Sequence, residues 1–94
     1  MITVFAKHKV NDYATWKAAF DSFYDIRKAG GEKSYRVFHA INDPNDIGMM
    51  FEWESLEKAQ EFMSSPELKT AMIKSGVCSE PFFDFVKEYD RGAT

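Results

Sequence analysis

The sequence predicts an α+β fold in which four antiparallel strands form one sheet and two helical regions cover one of its faces. Four segments alternate apolar and polar residues with the period of two that is typical of strands. Between the first and second segments, and again between the third and fourth, apolar residues recur at spacings of three and four, as on amphipathic helices. Turn and capping residues separate these elements.

The first strand and the first helix have clear boundaries in the sequence. Residues 2–10 alternate and form the strand, and Asn11 and Asp12 then supply side chains suited to an N-cap. Gly30 and Gly31 end the helix, because glycine adopts the left-handed conformation needed just past a helix end. The apolar stripe of this helix consists of Tyr13, Trp16, Phe20, Phe23, Tyr24 and Arg27.

A hairpin follows the first helix. Residues 33–41 and 47–54 alternate as the second and third strands. The run between them, residues 42–46, consists of Asn, Asp and Pro, which favour turns.

The second helical region and the last strand complete the order of elements. Ser55 caps the region, Ser65 and Pro66 indicate a kink or a second helix start, and Gly76 ends it. Residues 82–89 form the last strand. The order strand–helix–strand–strand–helix–strand is the ferredoxin-like βαββαβ arrangement, and right-handed crossovers give the strand order 4-1-3-2.

Length and composition limit the classes of function. Residues 1–94 suffice for one ferredoxin-like domain with a modest core. The net charge is −3 and no run of basic residues occurs, which argues against a nucleic-acid partner. No apolar run is long enough to span a bilayer, and the single cysteine, Cys78, cannot form an intrachain disulfide. We therefore expect a cytoplasmic protein without a nucleic-acid or membrane partner.

One face of the predicted sheet, called here the open face, is left uncovered, because two helical regions reach only the other face. Phe5, Phe38, Met50 and Val86 fall on the open face, and charged residues such as Arg36 surround them. An apolar centre with a charged rim is typical of a protein interface. We predict that a second copy of the chain packs there to form a homodimer. The residues expected on the opposite, helix-covered face are Ile2, Val4, Val37, Ile41, Ile47, Met49, Phe51 and Trp53.

The two histidines are the candidates for catalysis. His8 and His39 lie near the ends of the first and second strands, so both reach the same edge of the sheet on the helix side. The predicted hairpin register places His39 opposite Met49, with the two imidazoles about 10 Å apart at the backbone. This separation is too large for an easy shared metal site, but it suits two walls of one pocket. The ordinary pKa of histidine favours proton transfer near neutral pH.

Aromatic and sulfur-containing side chains complete the predicted site. A tyrosine can hydrogen-bond a phenolic or carbonyl oxygen, and apolar rings can hold a small aromatic ligand. The alternative interpretation is that both histidines are packed residues whose ring nitrogens are satisfied. The residues predicted to bind substrate are Tyr13, Trp16, Tyr35, Met49, Trp53 and Met72.

Several segments resemble one family of small proteins. The segments HKVNDYATWKAAFD and SSPELKTAMIKSGV, the turn NDPND and the final aromatic strand are similar to those of the dimeric α+β barrel proteins. Within that superfamily the chain resembles the antibiotic-biosynthesis-monooxygenase-like group, whose uncharacterised members are often called cyclase-like. The resemblance covers nearly the whole chain and implies the same fold and a homodimer. It does not choose one activity, since the superfamily includes cofactor-free oxygenases, haem-degrading enzymes, isomerases and polyketide cyclases.

The haem-degrading branch of this superfamily is disfavoured by the residues present. Those proteins carry an asparagine on the first strand, a tryptophan on the third and a haem-ligating histidine on the second helix. Trp53 matches the tryptophan, but residues 2–10 contain no asparagine and residues 55–75 contain no histidine. The resemblance thus implies an enzyme without metal or organic cofactor that oxygenates or cyclises a small aromatic or polyketide-like compound. The alternative is a non-catalytic homodimer that binds a small ligand.

Overall fold

The structure, a computed structural model, contains one antiparallel sheet with the strand order β2-β3-β1-β4. This is the predicted order read from the other edge, so the predicted ferredoxin-like α+β fold is confirmed. The last strand is shorter than expected, and each predicted helical region is divided into two helices. The elements are β1 (Ile2–Lys9), α1 (Tyr13–Ser22), α2 (Tyr24–Gly30), β2 (Glu32–Ala40), β3 (Asp43–Trp53), α3 (Leu56–Met63), α4 (Pro66–Lys74) and β4 (Phe82–Val86).

The helix boundaries follow from local side-chain chemistry. The side chains of Asp12, Ser55 and Ser65 each accept a hydrogen bond from a backbone N–H in the first turn of α1, α3 and α4. Gly31 and Gly76 follow α2 and α4 with φ angles of 120° and 91°, in the left-handed region that favours glycine. These caps and stops were all expected from the sequence.

The first helical region breaks at Phe23, which the sequence did not predict. Two carbonyl groups just before the break accept hydrogen bonds from side chains. The Ser22 hydroxyl donates to the Ala19 carbonyl at 2.7 Å, and the Arg27 guanidinium donates to the Phe20 carbonyl. Side-chain donors of this kind compete with the helical hydrogen-bond pattern. The second region breaks at Ser65 and Pro66, as the sequence indicated.

The hairpin register corrects two expectations. The loop between β2 and β3 is residues 41–42; Asp43 still pairs with Ala40 of β2, whereas Asp46 pairs with Lys9 at the end of β1. His39 therefore pairs with Ile47 rather than with Met49. Ile41 lies in the turn and is fully exposed, so the prediction that it packs under the helices is wrong. The irregularity between His39 and Ala40 absorbs the extra residues of β3.

The core lies between the helices and the covered face of the sheet. Trp53 is fully buried, and its indole Nε1 donates to the Gly30 carbonyl at 3.1 Å. Its ring packs against Phe62 and Phe51 at centroid distances of 5.1 and 6.1 Å. Truncating a buried tryptophan to alanine costs about 3–5 kcal/mol. The buried apolar residues are Val4, Ala6, Val10, Trp16, Ile47, Met49, Phe51, Trp53 and Ala59.

The open face has the composition that the sequence predicted. Phe5 and Phe38 are 43% and 47% exposed, and Met50 and Val86 are half-buried beside them. The guanidinium of Arg36 lies 5.1 Å from the centre of the Phe38 ring. Phe82, which the sequence analysis did not assign to this face, pairs with Lys7 there and is also exposed.

Candidate functional site

A cavity of about 280 Å³ lies between the covered face of the sheet and the four helices. A cavity of about 150 Å³ can hold benzene, so this one suits a ligand of about two fused rings. Four of the predicted site residues line it, namely His8, Trp16, Met49 and Met72. The aromatic residues of its wall are Trp16, Phe20, Phe23, Phe51, Phe62 and Phe83.

The cavity lies where both helical regions break. Ser22 and Phe23 line it at the break between α1 and α2, and Met63 and Leu68 line it on either side of the break between α3 and α4. Neither region crosses the sheet as one straight helix.

His8 is the titratable residue that the central strand β1 brings to the cavity. It is 6% exposed, and the Trp16 ring meets it edge-on at a centroid distance of 5.6 Å. Its Nδ1 is buried without a hydrogen-bond partner among the protein groups. Burial lowers the pKa of His8 from its ordinary value of 6.5, because the charged imidazolium loses hydration. The ring is therefore neutral at neutral pH and able to accept a proton.

His39 lies outside the cavity, on the exposed edge strand β2. Its ring contacts Tyr13 at a centroid distance of 5.4 Å, and its Nδ1 donates to the Ala40 carbonyl at 2.8 Å. The ring centroids of Tyr13 and Trp16 are 6.1 Å apart, and Trp16 packs against His8. The rings of Tyr13 and Trp16 therefore separate His39 from His8. The two histidines therefore do not form two walls of one pocket, and a catalytic role for His39 stays a prediction.

Two further predicted residues also lie beside the cavity rather than in its wall. Tyr35 is 37% exposed on β2 and meets the Phe20 ring edge-on at 5.2 Å. Trp53 is in contact with Phe62, which does line the cavity. Both residues can support the wall from outside, but neither is among the residues that line the cavity.

Arg27 is the residue that the sequence analysis missed as part of the site. It lines the cavity, is 3% exposed, and its Nε donates to the Glu32 carboxylate at 2.9 Å. Its guanidinium stacks 3.7 Å from the centre of the Phe20 ring, and its Nη2 has no hydrogen-bond partner in the protein. The sequence did contain a signal, since Arg27 interrupts an otherwise apolar helical stripe. Buried charges of this kind are paired or functional.

Burial also perturbs the partner of Arg27. Desolvation raises the pKa of the Glu32 carboxyl, and the positive charge of Arg27 opposes that change. The pair is buried on both sides, with side-chain exposures of 4% each. Removing one partner would therefore leave the other charge without compensation.

No group of three or more His, Cys, Asp or Glu side chains converges as a metal site requires. None of the helices combines the length and the apolar character that crossing a membrane needs.

Solved structures share this architecture over nearly their whole length. A candidate antibiotic biosynthesis monooxygenase from Bordetella bronchiseptica superposes with a TM-score of 0.76 and 15% identity, covering 94% of this chain and 96% of that one. SnoaB, a cofactor-independent oxygenase from Streptomyces nogalater, superposes with a TM-score of 0.70 and 11% identity, covering 94% of each chain. A conserved protein from Methanosarcina mazei Go1 superposes with a TM-score of 0.71 and 17% identity, covering 94% of this chain and 92% of that one.

At the level of sequence, the chain matches no protein-family model and no curated protein. Likeness at these identities concerns the fold, and it confirms the resemblance in fold that the sequence predicted. The chain therefore has the fold of the antibiotic biosynthesis monooxygenase-like proteins.

Proposed function

We propose that this protein is an enzyme that removes a proton from a small aromatic or polyketide-like compound in the cavity, without a metal or organic cofactor. The observation that carries the proposal is His8, a buried neutral imidazole in the wall of an aromatic cavity. Its Nδ1 is enclosed by the protein without a partner, so Nε2 is the ring nitrogen left to accept a proton from a ligand. The alternative of two packed and satisfied histidines is disfavoured by that unpartnered nitrogen. The likeness in fold to a cofactor-independent oxygenase supports the same activity class.

In this mechanism His8 acts as the general base. It takes a proton from an acidic C–H group next to a carbonyl, and the electron pair remains on the substrate as an enolate. The wall around His8 is mostly apolar, and apolar surroundings strengthen electrostatic interactions with the enolate.

Two reactions can then follow from the same enolate. In oxygenation it passes electrons to dioxygen and a peroxide forms. The CH₂ group becomes a carbonyl, and the second oxygen atom leaves as water. In cyclisation the carbanion attacks a carbonyl carbon of the same molecule, and the resulting alkoxide takes the proton back from His8. Both reactions begin with the same proton transfer.

Proton transfer is measurable before either product is identified. We expect the protein to accelerate the exchange of the C1 protons of 2-tetralone, a bicyclic ketone, for deuterium in D₂O, followed by NMR. An oxygen electrode run in parallel separates oxygenation from cyclisation. The control is free imidazole at the same concentration as the protein. Saturable binding without any exchange above that control would contradict the enzyme and support a non-catalytic ligand-binding protein.

We also propose that a second copy of the chain covers the open face. Phe5, Phe38 and Phe82 are 43%, 47% and 59% exposed on this face, and the half-buried Met50 and Val86 lie on the same face of β3 and β4. So much exposed ring surface in one patch is typical of a protein interface. The homodimer implied by the resemblance would bury it.

A matched pair of variants tests the homodimer. Phe38→Glu places a charge in the proposed interface, and we expect light scattering at micromolar concentration to show half the wild-type mass. Ile41→Glu is the control, because Ile41 is a fully exposed apolar residue in the turn outside the open face. A monomeric wild-type protein, or dissociation caused equally by both variants, would contradict the proposed interface.

A further inference from the structure

Helix α4 is the least firmly held part of the cavity wall. It buries none of its nine residues, whereas each of the other three helices buries one, namely Trp16, Arg27 and Ala59. Its apolar residues that line the cavity, Leu68, Ala71 and Met72, are only half-buried. No hydrogen bond or ion pair joins α4 to another helix or to the sheet. Apolar contacts and the two ends of α4 therefore hold it in place.

A second space lies on the other side of α4. A groove of about 490 Å³ is lined by α4 on one side and by residues 77–83 on the other. Met63, Met72 and Phe83 line both this groove and the cavity, so these three side chains divide the two spaces. Few buried apolar contacts and low packing density are typical of segments that unfold locally before the rest of a protein. α4 is therefore the helix expected to open first.

Both ends of α4 are anchored by backbone groups. Before the helix, the N–H and the hydroxyl of Ser65 both donate to the Phe62 carbonyl, at 3.1 and 2.8 Å. After the helix, the Gly76 carbonyl accepts a hydrogen bond from the Asn11 N–H at 2.9 Å. These anchors confine any movement to residues 66–75 and return the helix to the same position when it closes.

We infer that α4 is the lid of the cavity: residues 66–75 move away from the sheet to admit or release a ligand, and they refold over it. The inference rests on the proposed function, because it assumes that the cavity holds the ligand. The helix unfolds as it moves, since a nine-residue helix is not stable in water without packing. The exposed residues of the cavity wall, Ser22 and Lys74, are the last residues of α1 and α4, so solvent reaches the cavity beside α4.

Amide hydrogen exchange tests the lid in the free protein. We expect the protection factors of residues 70–74 in α4 to be smaller than those of residues 60–63 in α3 by about tenfold or more. The two helices are a matched pair, because they have similar lengths and each begins after a serine cap. Equal protection in the two helices would overturn the inference.

Two cap variants separate opening of α4 from unfolding of the whole chain. Ser65→Ala and Ser55→Ala remove the same kind of cap from α4 and α3, and loss of a serine cap shifts a helix toward unfolding about fivefold. We expect Ser65→Ala to lower the protection factors in α4 about fivefold, and Ser55→Ala to change them by less than about twofold. An equal effect of both variants on α4 would show that α4 does not open separately.

Binding kinetics test whether the opening admits a ligand. The probe is 2-naphthamide, a neutral bicyclic compound, mixed with the protein by stopped flow and followed by its own fluorescence. A lid that opens more often speeds entry and exit equally. We therefore expect Ser65→Ala to raise both the association and the dissociation rate constants about fivefold and to leave Kd unchanged. Faster dissociation alone, with weaker affinity, would show that α4 is a fixed wall and would overturn the inference.

A variant of opposite sign keeps the test available if Ser65→Ala does not fold. Thr70 is exposed on α4, and Thr70→Ala favours the closed helix because alanine has the higher helix propensity. We expect both rate constants to fall about two- to threefold. Unchanged rate constants would contradict the lid and leave the proposed function standing. No binding of 2-naphthamide to the wild type would contradict the proposed cavity ligand, whereas hydrogen exchange would still decide whether α4 opens.

Discussion

His8 and His39 occupy equivalent levels of the same sheet, yet their surroundings differ completely. Both pair with Ile47, one from each side, and both project from the helix-covered face. His8 is on the central strand β1 and is buried under Trp16, whereas His39 is on the edge strand β2 and is exposed. Register thus decides the level of a residue in a sheet, and strand order decides whether solvent reaches it.

Two ion pairs, Arg27–Glu32 and Lys58–Glu54, differ in solvent exposure in the same way as the two histidines. Arg27 and Glu32 are each 4% exposed in their side chains, whereas Lys58 and Glu54 are each about half exposed on the surface. A buried pair holds two desolvated charges that depend on each other. An exposed pair loses little when it is broken, because water replaces the partner.

The largest expected effect distinguishes the two histidines by rate. We expect His8→Gln to slow the deuterium exchange of 2-tetralone by about 10²–10⁴-fold, which is the usual contribution of a general base. His39→Gln should change the rate by less than about twofold, because His39 does not line the cavity. Binding of 2-naphthamide, measured on both variants, shows whether the cavity is intact. An equal loss of rate in both variants would contradict the division between a central and an edge histidine.

The next effect distinguishes the two ion pairs by stability. We expect Arg27→Met to lower the free energy of unfolding by about 3–5 kcal/mol, because Glu32 stays buried without a partner. The double variant with Glu32→Gln should recover most of this loss, and Lys58→Met should show no resolvable change. Urea unfolding followed by circular dichroism gives all three values. A loss in the double variant as large as in Arg27→Met would show that packing, not charge, causes it.

The smallest effect is the dependence of stability on pH. Burial lowers the pKa of His8 below 6.5 in the folded state, so the unfolded state binds the proton more readily. The stability associated with neutral His8 is therefore complete above about pH 6.5 and is lost as the pH falls toward the folded-state pKa. The slope is at most about 1.4 kcal/mol per pH unit for one proton.

His8→Leu isolates this dependence. We expect the free energy of unfolding of the wild type, minus that of His8→Leu, to decrease as the pH falls below about 6.5. The pKa of the Glu32 carboxyl is raised, so its contribution has the opposite sign, but Glu32 is present in both proteins and cancels in the difference. A difference that stays constant between pH 7.5 and 5 would contradict the burial of a neutral imidazole.

The positions of caps and stops were predictable because short-range hydrogen bonds decide them. The side chains of Asp12, Ser55 and Ser65 each accept a hydrogen bond from a backbone N–H three residues ahead. This contact depends only on neighbouring residues, so the local sequence predicts it. Gly31 and Gly76 end helices because of their own backbone freedom. The hairpin register was not predictable in the same way, since Asp43 pairs with Ala40 across an irregularity in β2 while Asp46 pairs with Lys9 of β1, a partner remote in sequence.

The candidate site shows the same division. The sequence by itself determined the order of elements, the covered and open faces, and the presence of His8 and Trp16 on inward-facing positions, because alternation and helical spacing are local properties. Only the tertiary structure decided that His8 meets a cavity while His39 does not, and that Arg27 turns toward the Phe20 carbonyl and Glu32. The physical reason is that burial and charge pairing depend on which elements pack together. Strand order and the positions of the helix breaks determine that packing.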